Sequence, residues 1–228
     1  MATGLMSKVF VAIDGPAGSG KSSVSKQAAR ELGWGYLDTG AAYRALTWQV
    51  QNHPDFHLED LSTSNLHEVF DYAISVDPDN YWVRVGAVDV TDAIRTTEVA
   101  EGVSAIARVP EVRTFMKALT RDIVARSEKP GMIVEGRDIT TVVLPDANAR
   151  LLLTASEEVR LKRRSAEIGV NDTQKVARQV SQRDASDAAV SDFMTPAEGV
   201  ILIDSSDLNF EQTVAAVLET IANATTKD

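Results

Sequence analysis

Residues Gly15 to Ser22 read GPAGSGKS, and their types and order suit one chemistry, the holding of a nucleoside triphosphate by its phosphates. Backbone N–H groups of a turn can point inward at phosphate oxygens only where side chains are absent or small, a condition met at Gly15, Gly18 and Gly20. Pro16, Ala17 and Ser19 complete the loop, and Ser23 comes directly after it. Lys21 is placed to reach the β- and γ-phosphates as a mobile point charge, and the Ser22 hydroxyl to ligate the Mg2+ that bridges them. The glycines do not fit the G-x-G-x-x-G spacing of a dinucleotide site.

Such a loop works only between a strand and a helix. KVFVAID (Lys8 to Asp14) supplies the β-branched run before it, and the stretch to Leu32 the helix whose positive end faces the phosphates. GYLDTGAAYRALTWQV (Gly35 to Val50) predicts a short strand, a turn at Asp38 to Gly40 and a second helix. From Ile74 the pattern shortens to ISVDP, YWVRVG and VDVTD, separated by turn residues, which predicts a small antiparallel insert. Helices are expected over Thr97 to Ala107 and Pro110 to Arg126. GMIVEGRD and ARLLLTA read as buried strands with ligand residues at their C-terminal edges. Ser156 predicts the cap of a helix bearing Arg160, Lys162, Arg163 and Arg164, and a polar stretch from Ile168 to Thr173 leads toward another helix. Val200 to Asp204 is expected as a fifth core strand and Glu211 to Ala222 as a closing helix, with a frayed tail.

Bulk properties narrow the function. The chain has 228 residues, 44% of them apolar, enough for one sizeable core with insertions. A net charge of −10 argues against a nucleic-acid or anionic-membrane surface, so anionic substrates must be met by local arginines. No apolar run approaches the ~20 residues of a membrane span, MATGLMSK lacks a signal-like apolar region, and a cytoplasmic protein is expected. Cysteine is absent, which removes disulfides, thiolate zinc sites and a cysteine nucleophile. His53, His57 and His67 lack metal-like spacing and are expected on a solvated loop or helix face.

Phosphate-loop proteins divide into switches, motors and small-molecule kinases. The N-K-x-D and D-x-x-G segments of a GTPase switch occur nowhere in the sequence. The strand that would end in an acidic pair in a motor ends here as Val134, Glu135, Gly136, Arg137, and an arginine at that edge suggests a second anion.

Beyond the loop, five segments carry a resemblance. GPAGSGKSS, LDTGAAYR (Leu37 to Arg44), IRTTEVAEGVSAIARVPEVR (Ile94 to Arg113), EGRDITTVVLPDA (Glu135 to Ala147) and QRDASD (Gln182 to Asp187) together resemble the bacterial cytidylate kinases, in order and over nearly the whole chain. The resemblance implies an α/β phosphate-loop fold of three layers, with a five-stranded parallel sheet flanked by helices, a small antiparallel monophosphate-binding insert and a mobile lid. It implies one domain over 1–228, with the core at about 7–55, 129–160 and 198–226, the insert at about 56–128 and the lid at about 161–190. It implies ATP as donor, CMP or dCMP as acceptor, and a monomer. By resemblance, Arg44 and Arg137 grip the CMP phosphate, while Arg163 and Arg164, with Arg160, approach the transferring group from the lid side. Ser104, Arg113 and Asp138 contact cytosine, Arg183 and Asp187 serve the ribose side, and Thr39 and Tyr43 line the acceptor position. A tyrosine on an amphipathic helix also packs well in a core, so Tyr43 carries two readings.

The sequence departs from the family pattern in places. Val190 stands where an arginine is frequent, Glu135 where an aspartate is, and Thr39 where a serine is, which leaves deoxyribose tolerance open. Two other readings also remain: a kinase for another small acceptor, such as UMP or shikimate, and a nucleotide-gated module without transfer, which would have lost Lys21 or the acceptor arginines. Both are retained.

Overall fold

The computed structural model describes residues 8–53, 56–57, 62–168 and 193–226. The chain divides into two compact units, Met1–Leu37 with Glu128–Asp228, and Asp38–Ser127.

The first unit is built on a five-stranded parallel sheet in the order β2, β6, β1, β7, β8, where β1 is Val9–Asp14, β2 Gly35–Asp38, β6 Gly131–Gly136, β7 Ala149–Thr154 and β8 Ile201–Asp204. Its central strands read as continuous apolar runs because both faces are covered, and Val11, Ile13, Met132, Ile133, Val134, Leu151 and Leu153 are fully buried. Helix α1 (Lys21–Leu32) packs on β1 and β6, and the closing helix α7 (Phe210–Thr225) packs on α1, β7 and β8. Helix α7 runs three residues past the expected end, because Thr225 Oγ1 donates to the Ile221 carbonyl and Thr226 caps the final turn. Helix α6 (Glu157–Ile168) begins at Ser156, whose Oγ accepts the Val159 N–H at 3.4 Å.

The second unit joins four helices to an antiparallel sheet. Helix α2 is Thr39–Asn52, α3 Thr63–Val69, α4 Thr97–Ala107 and α5 Pro110–Arg126, and the sheet runs β3 (Tyr72–Ile74), β4 (Val83–Val85), β5 (Val88–Asp89). Leu46, Leu66, Phe70, Val83, Ile94, Val112 and Phe115 form its core. No turn separates β2 from α2: Asp38 itself is the cap, its Oδ1 accepting the Ala41 N–H at 3.2 Å. The short helix α3 adds to the elements expected from the sequence. Its signal is a reciprocal cap, in which Ser62 and Asn65 each accept the other's backbone N–H. His67 lies on that exposed helix face, edge-on to Phe115 at 4.8 Å between ring centroids.

Candidate active site

The phosphate loop leaves β1 and enters α1 with two glycines in the left-handed region, Gly18 at φ 76° and Gly20 at φ 88°. Gly18 has a second reason to be glycine, since a Cβ there would lie 2.5 Å from the Arg160 carbonyl oxygen. Helix α6 thus packs against the loop, and its arginines hold the loop's outward carbonyls. Arg160 Nη1 donates to the Ala17 carbonyl at 3.0 Å and Arg163 Nη1 to that of Ser19 at 3.1 Å. The Arg163 guanidinium also donates to the Ser205 hydroxyl, the Ser205 carbonyl and the Leu208 carbonyl. With these carbonyls held by arginines, the N–H groups of the loop are the backbone groups left to meet phosphate oxygens.

Past the loop, three side chains converge on Glu135, near the end of β6. Ser22 Oγ donates to Glu135 Oε1 at 2.6 Å, the Tyr36 hydroxyl donates to the same oxygen at 3.1 Å, and Lys21 Nζ stands 3.9 Å from Oε2. Glu135 is buried, so its charge is countered by Lys21 across little solvent. Among the described residues, no group of three or more acidic, histidine or cysteine side chains gathers as a metal cage. A hydroxyl beside one carboxylate is nevertheless an oxygen donor set that suits Mg2+ shared with phosphates.

The loop after β6 carries Arg137 and Asp138 and closes in a π-turn over Ile139–Val143, with the Leu144 N–H reaching the Ile139 carbonyl. It is clasped to the start of the phosphate loop at two points. Arg137 Nη1 donates to the Gly15 carbonyl at 2.7 Å, and its guanidinium carbon lies 4.5 Å from the Phe193 ring centroid. Asp14, the last residue of β1, accepts the N–H of Ile139 at 2.8 Å and both the N–H and hydroxyl of Thr140, at 2.9 and 2.6 Å. Burial raises the Asp14 pKa above the usual carboxylate value; these hydrogen bonds act the other way without cancelling it.

In the second unit, Arg44 Nη2 donates to Asp38 Oδ2 at 2.7 Å, six residues back. Thr39 opens α2, and Tyr43, one turn on, packs against the core of the unit. Ser104 lies on α4 and Arg113 in the first turns of α5, each partly buried. Arg183, Asp187 and Val190, with most of the expected lid, lie outside the described residues. The first unit therefore brings together Gly15 to Ser23, Arg137, Asp138 and Arg163; the second holds Thr39, Tyr43, Arg44, Ser104 and Arg113.

Sequence reasoning gave no role to Asp14, Tyr36 or Arg95, read Asp38 only as a turn residue, and noted Glu135 only as a strand end and a replacement. Three of the five are carboxylates at or near the C-terminal ends of β1, β2 and β6, the edge where parallel sheets meet ligands, and that rule applied to acidic residues would have found them.

Comparison with known proteins decides the family. The cytidylate kinase family model matches residues 11–223. The chain belongs to the cytidylate kinase family. It is 42% identical over 215 residues to a cytidylate kinase of Streptomyces griseus, covering 93% of this chain and 92% of that one, and 39% identical over 222 residues to one of Cutibacterium acnes, covering 94% and 96%. A crystal structure of an uncharacterized protein from Eubacterium ventriosum shares the fold, with a TM-score of 0.52 at 12% identity over 94% of this chain and 99% of that one. This member of the cytidylate kinases is thus a nucleoside-monophosphate kinase, a transferase that uses ATP as phosphoryl donor. Among the described residues no helix is long and apolar enough to cross a membrane.

Proposed function

We infer that the family's reaction, the ATP-dependent phosphorylation of CMP to CDP, is carried here by the residues gathered around the phosphate loop and the EGRD segment. The attacking oxygen belongs to a phosphate already ionised near neutral pH, so no strong base is required, and alignment and charge neutralisation remain. The backbone of Gly15 to Ser23 holds the donor phosphates and Lys21 moves from Glu135 to the β- and γ-oxygens. Ser22 and Glu135 would hold Mg2+, which when bound neutralises charge on the phosphate oxygens. As in the family resemblance, Arg137 and Arg44 are the residues for the acceptor phosphate. Arg163 braces the loop through the Ser19 carbonyl, and Arg164, the next residue of α6, serves the transferring group.

Ser104, Arg113 and Asp138 read the base. Cytosine presents an amino donor beside a ring acceptor and uracil reverses both, so a carboxylate accepting from N4 and a guanidinium donating toward N3 or O2 discriminate against UMP. Arg183 and Asp187 answer to the ribose side. Both CMP and dCMP are acceptors in this reading, and the enzyme acts as a cytoplasmic monomer. The observation that carries it is the 2.7 Å bond from Arg137 to the Gly15 carbonyl, which fastens an acceptor residue to the donor loop.

The test is ADP release with a panel of acceptors: CMP, dCMP, UMP and shikimate. CMP is expected to be turned over fastest, and failure with CMP alongside turnover of another acceptor would sink the reading. Within it, Arg137→Lys keeps the charge but not the fork that meets a carbonyl and a phosphate together. It is expected to lower kcat by about 10- to 100-fold, far more than it lowers stability as read by the urea midpoint.

A further inference from the structure

Phe193 and Phe210 are the only aromatic residues after Phe115, and their settings are opposite. Phe210 opens α7 and is 45% exposed, whereas Phe193 belongs to no helix or strand and is 1% exposed. Among Phe193 to Val200, the stretch that leads into β8, it alone is buried, and Met194 beside it is 52% exposed. A single ring thus turns inward from an otherwise solvated segment. What it meets there includes a cation: the Arg137 guanidinium carbon lies over the ring, 4.5 Å from its centroid.

Burial decides the strength of that contact. The negative face of an aromatic ring attracts a cation weakly at exposed sites and more strongly where water is excluded. Two other guanidiniums lie over rings, Arg84 over Trp82 at 4.6 Å and Arg95, which also donates to Asp38 at 3.4 Å, over Tyr81 at 5.7 Å. Of these rings only that of Phe193 is buried. The contact also differs in kind from a hydrogen bond. Arg137 Nη1 donates to the Gly15 carbonyl at 2.7 Å, which fixes one edge of the guanidinium. A ring against the flat face fixes its plane. That face occupies none of the in-plane N–H donors, so it orients the group and leaves the donors to a phosphate.

We propose that Phe193 is a positioning residue for the kinase reaction, its buried ring holding the plane of Arg137 so that the guanidinium fork meets the acceptor phosphate already oriented. This rests on the reading of Arg137 under Proposed function. A fork bonds to phosphate in its own plane, and a guanidinium free to turn would have to be ordered each time a substrate binds. Gly15, Arg137 and Phe193 all belong to the first unit, so edge and face are set within one compact body.

The test alters the electrons of the ring and keeps its shape. Phenylalanine analogues bearing progressively more fluorine, up to the fully fluorinated ring, are placed at position 193 of the full-length enzyme, and kcat/KM for CMP is measured with urea midpoints alongside. Fluorine draws charge from the ring face, so kcat/KM should fall in step with fluorine content, by about 3- to 30-fold at the end of the series. The midpoint should move far less than in Phe193→Leu, which keeps an apolar side chain but has no face and should lose both kcat/KM and stability. A ring that only fills the core would give fluorinated enzymes of wild-type kcat/KM beside a destabilised Phe193→Leu, and that result overturns the proposal. Indifference to fluorine with a slowed Arg137→Lys enzyme defeats the role of Phe193 alone; an Arg137→Lys enzyme of wild-type kcat defeats the reading of Arg137 and the role of Phe193 with it. A wild-type enzyme that turns over UMP but not CMP defeats only the cytosine reading, and the same series with UMP then decides the role of Phe193.

Discussion

Asp14 and Asp38 occupy equivalent places and do different work. Each is the last residue of a parallel strand, and each is 3% exposed. Asp14 is met by two backbone N–H groups and a hydroxyl, all neutral, and fixes the loop that carries Arg137 and Asp138. Asp38 is met by two cations and one N–H, and organises positive charge. The cause lies in the next few residues of the chain. The four residues after Asp14, Gly15 to Gly18, carry no side chain that could donate to a carboxylate, and its partners come from 125 and 126 residues away. After Asp38 a helix begins at once, and its cap donor and first arginine arrive 3 and 6 residues on.

Removing each carboxylate should separate the two kinds of setting. Asp38→Ala leaves Arg44 buried without its counter-charge, while Arg95 can return to water, and a loss of about 3–5 kcal/mol in urea unfolding is expected. Because the cost is a stranded charge, Asp38→Ala combined with Arg44→Met should be more stable than Asp38→Ala alone. A double variant no more stable than the single would show that Asp38 acts only as a helix cap.

Asp14→Ala should cost somewhat less, about 2–3 kcal/mol, since it strands neutral donors. Here no partner deletion can rescue it: two of the three donors are backbone, so adding Thr140→Val removes only one. Recovery of full stability in that double variant would place the Asp14 interaction in the hydroxyl alone. With the clasp loosened, kcat should also fall, since on the reading given under Proposed function this loop carries residues that meet the acceptor.

The same contrast explains what the sequence could reveal. The phosphate loop, the boundaries of α4 and α5 and the fifth strand are legible because their signals are local: glycines, caps and apolar runs within a few residues. Asp38 as a cap is within reach for the same reason, though the pattern there also reads as a turn. The clasp of Asp14 on Ile139 and Thr140 and the approach of Tyr36 to Glu135 across 99 residues depend on which strands lie side by side, and the order β2, β6, β1 that creates these neighbours is encoded by no local periodicity. The pairing of Arg95 with Asp38 across 57 residues depends instead on how the 3-10 turn at Ala93–Arg95 folds back within the second unit. The resemblance sets Arg163 over the transferring group; its bonds to Ser19, Ser205 and Leu208 depend equally on how α6 meets the loop and the turn after β8.

The smallest expected effect concerns pH and extends the comparison to the acid that closes β8. Burial raises the pKa of Asp14 above 3.8, whereas the Ser206 hydroxyl and N–H lower that of Asp204 below it. A carboxyl raised in the native state binds more protons folded than unfolded between its two pKa values, so its contribution to stability falls as pH rises through that window and is constant above it. Asp204 has the opposite sign: its contribution is present above 3.8 and is lost as pH falls through its lowered value. Urea unfolding measured from about pH 3 to 7 should therefore respond in opposite ways to two substitutions. Asp14→Asn removes a term that falls with pH, so stability should climb more steeply from acid; Ser206→Ala weakens a term that rises with pH, so the climb should be shallower. If both substitutions moved the slope in the same direction, the buried acid would be governed by its hydrogen bonds rather than by its loss of water, and the distinction between the ends of β1 and β8 would fail.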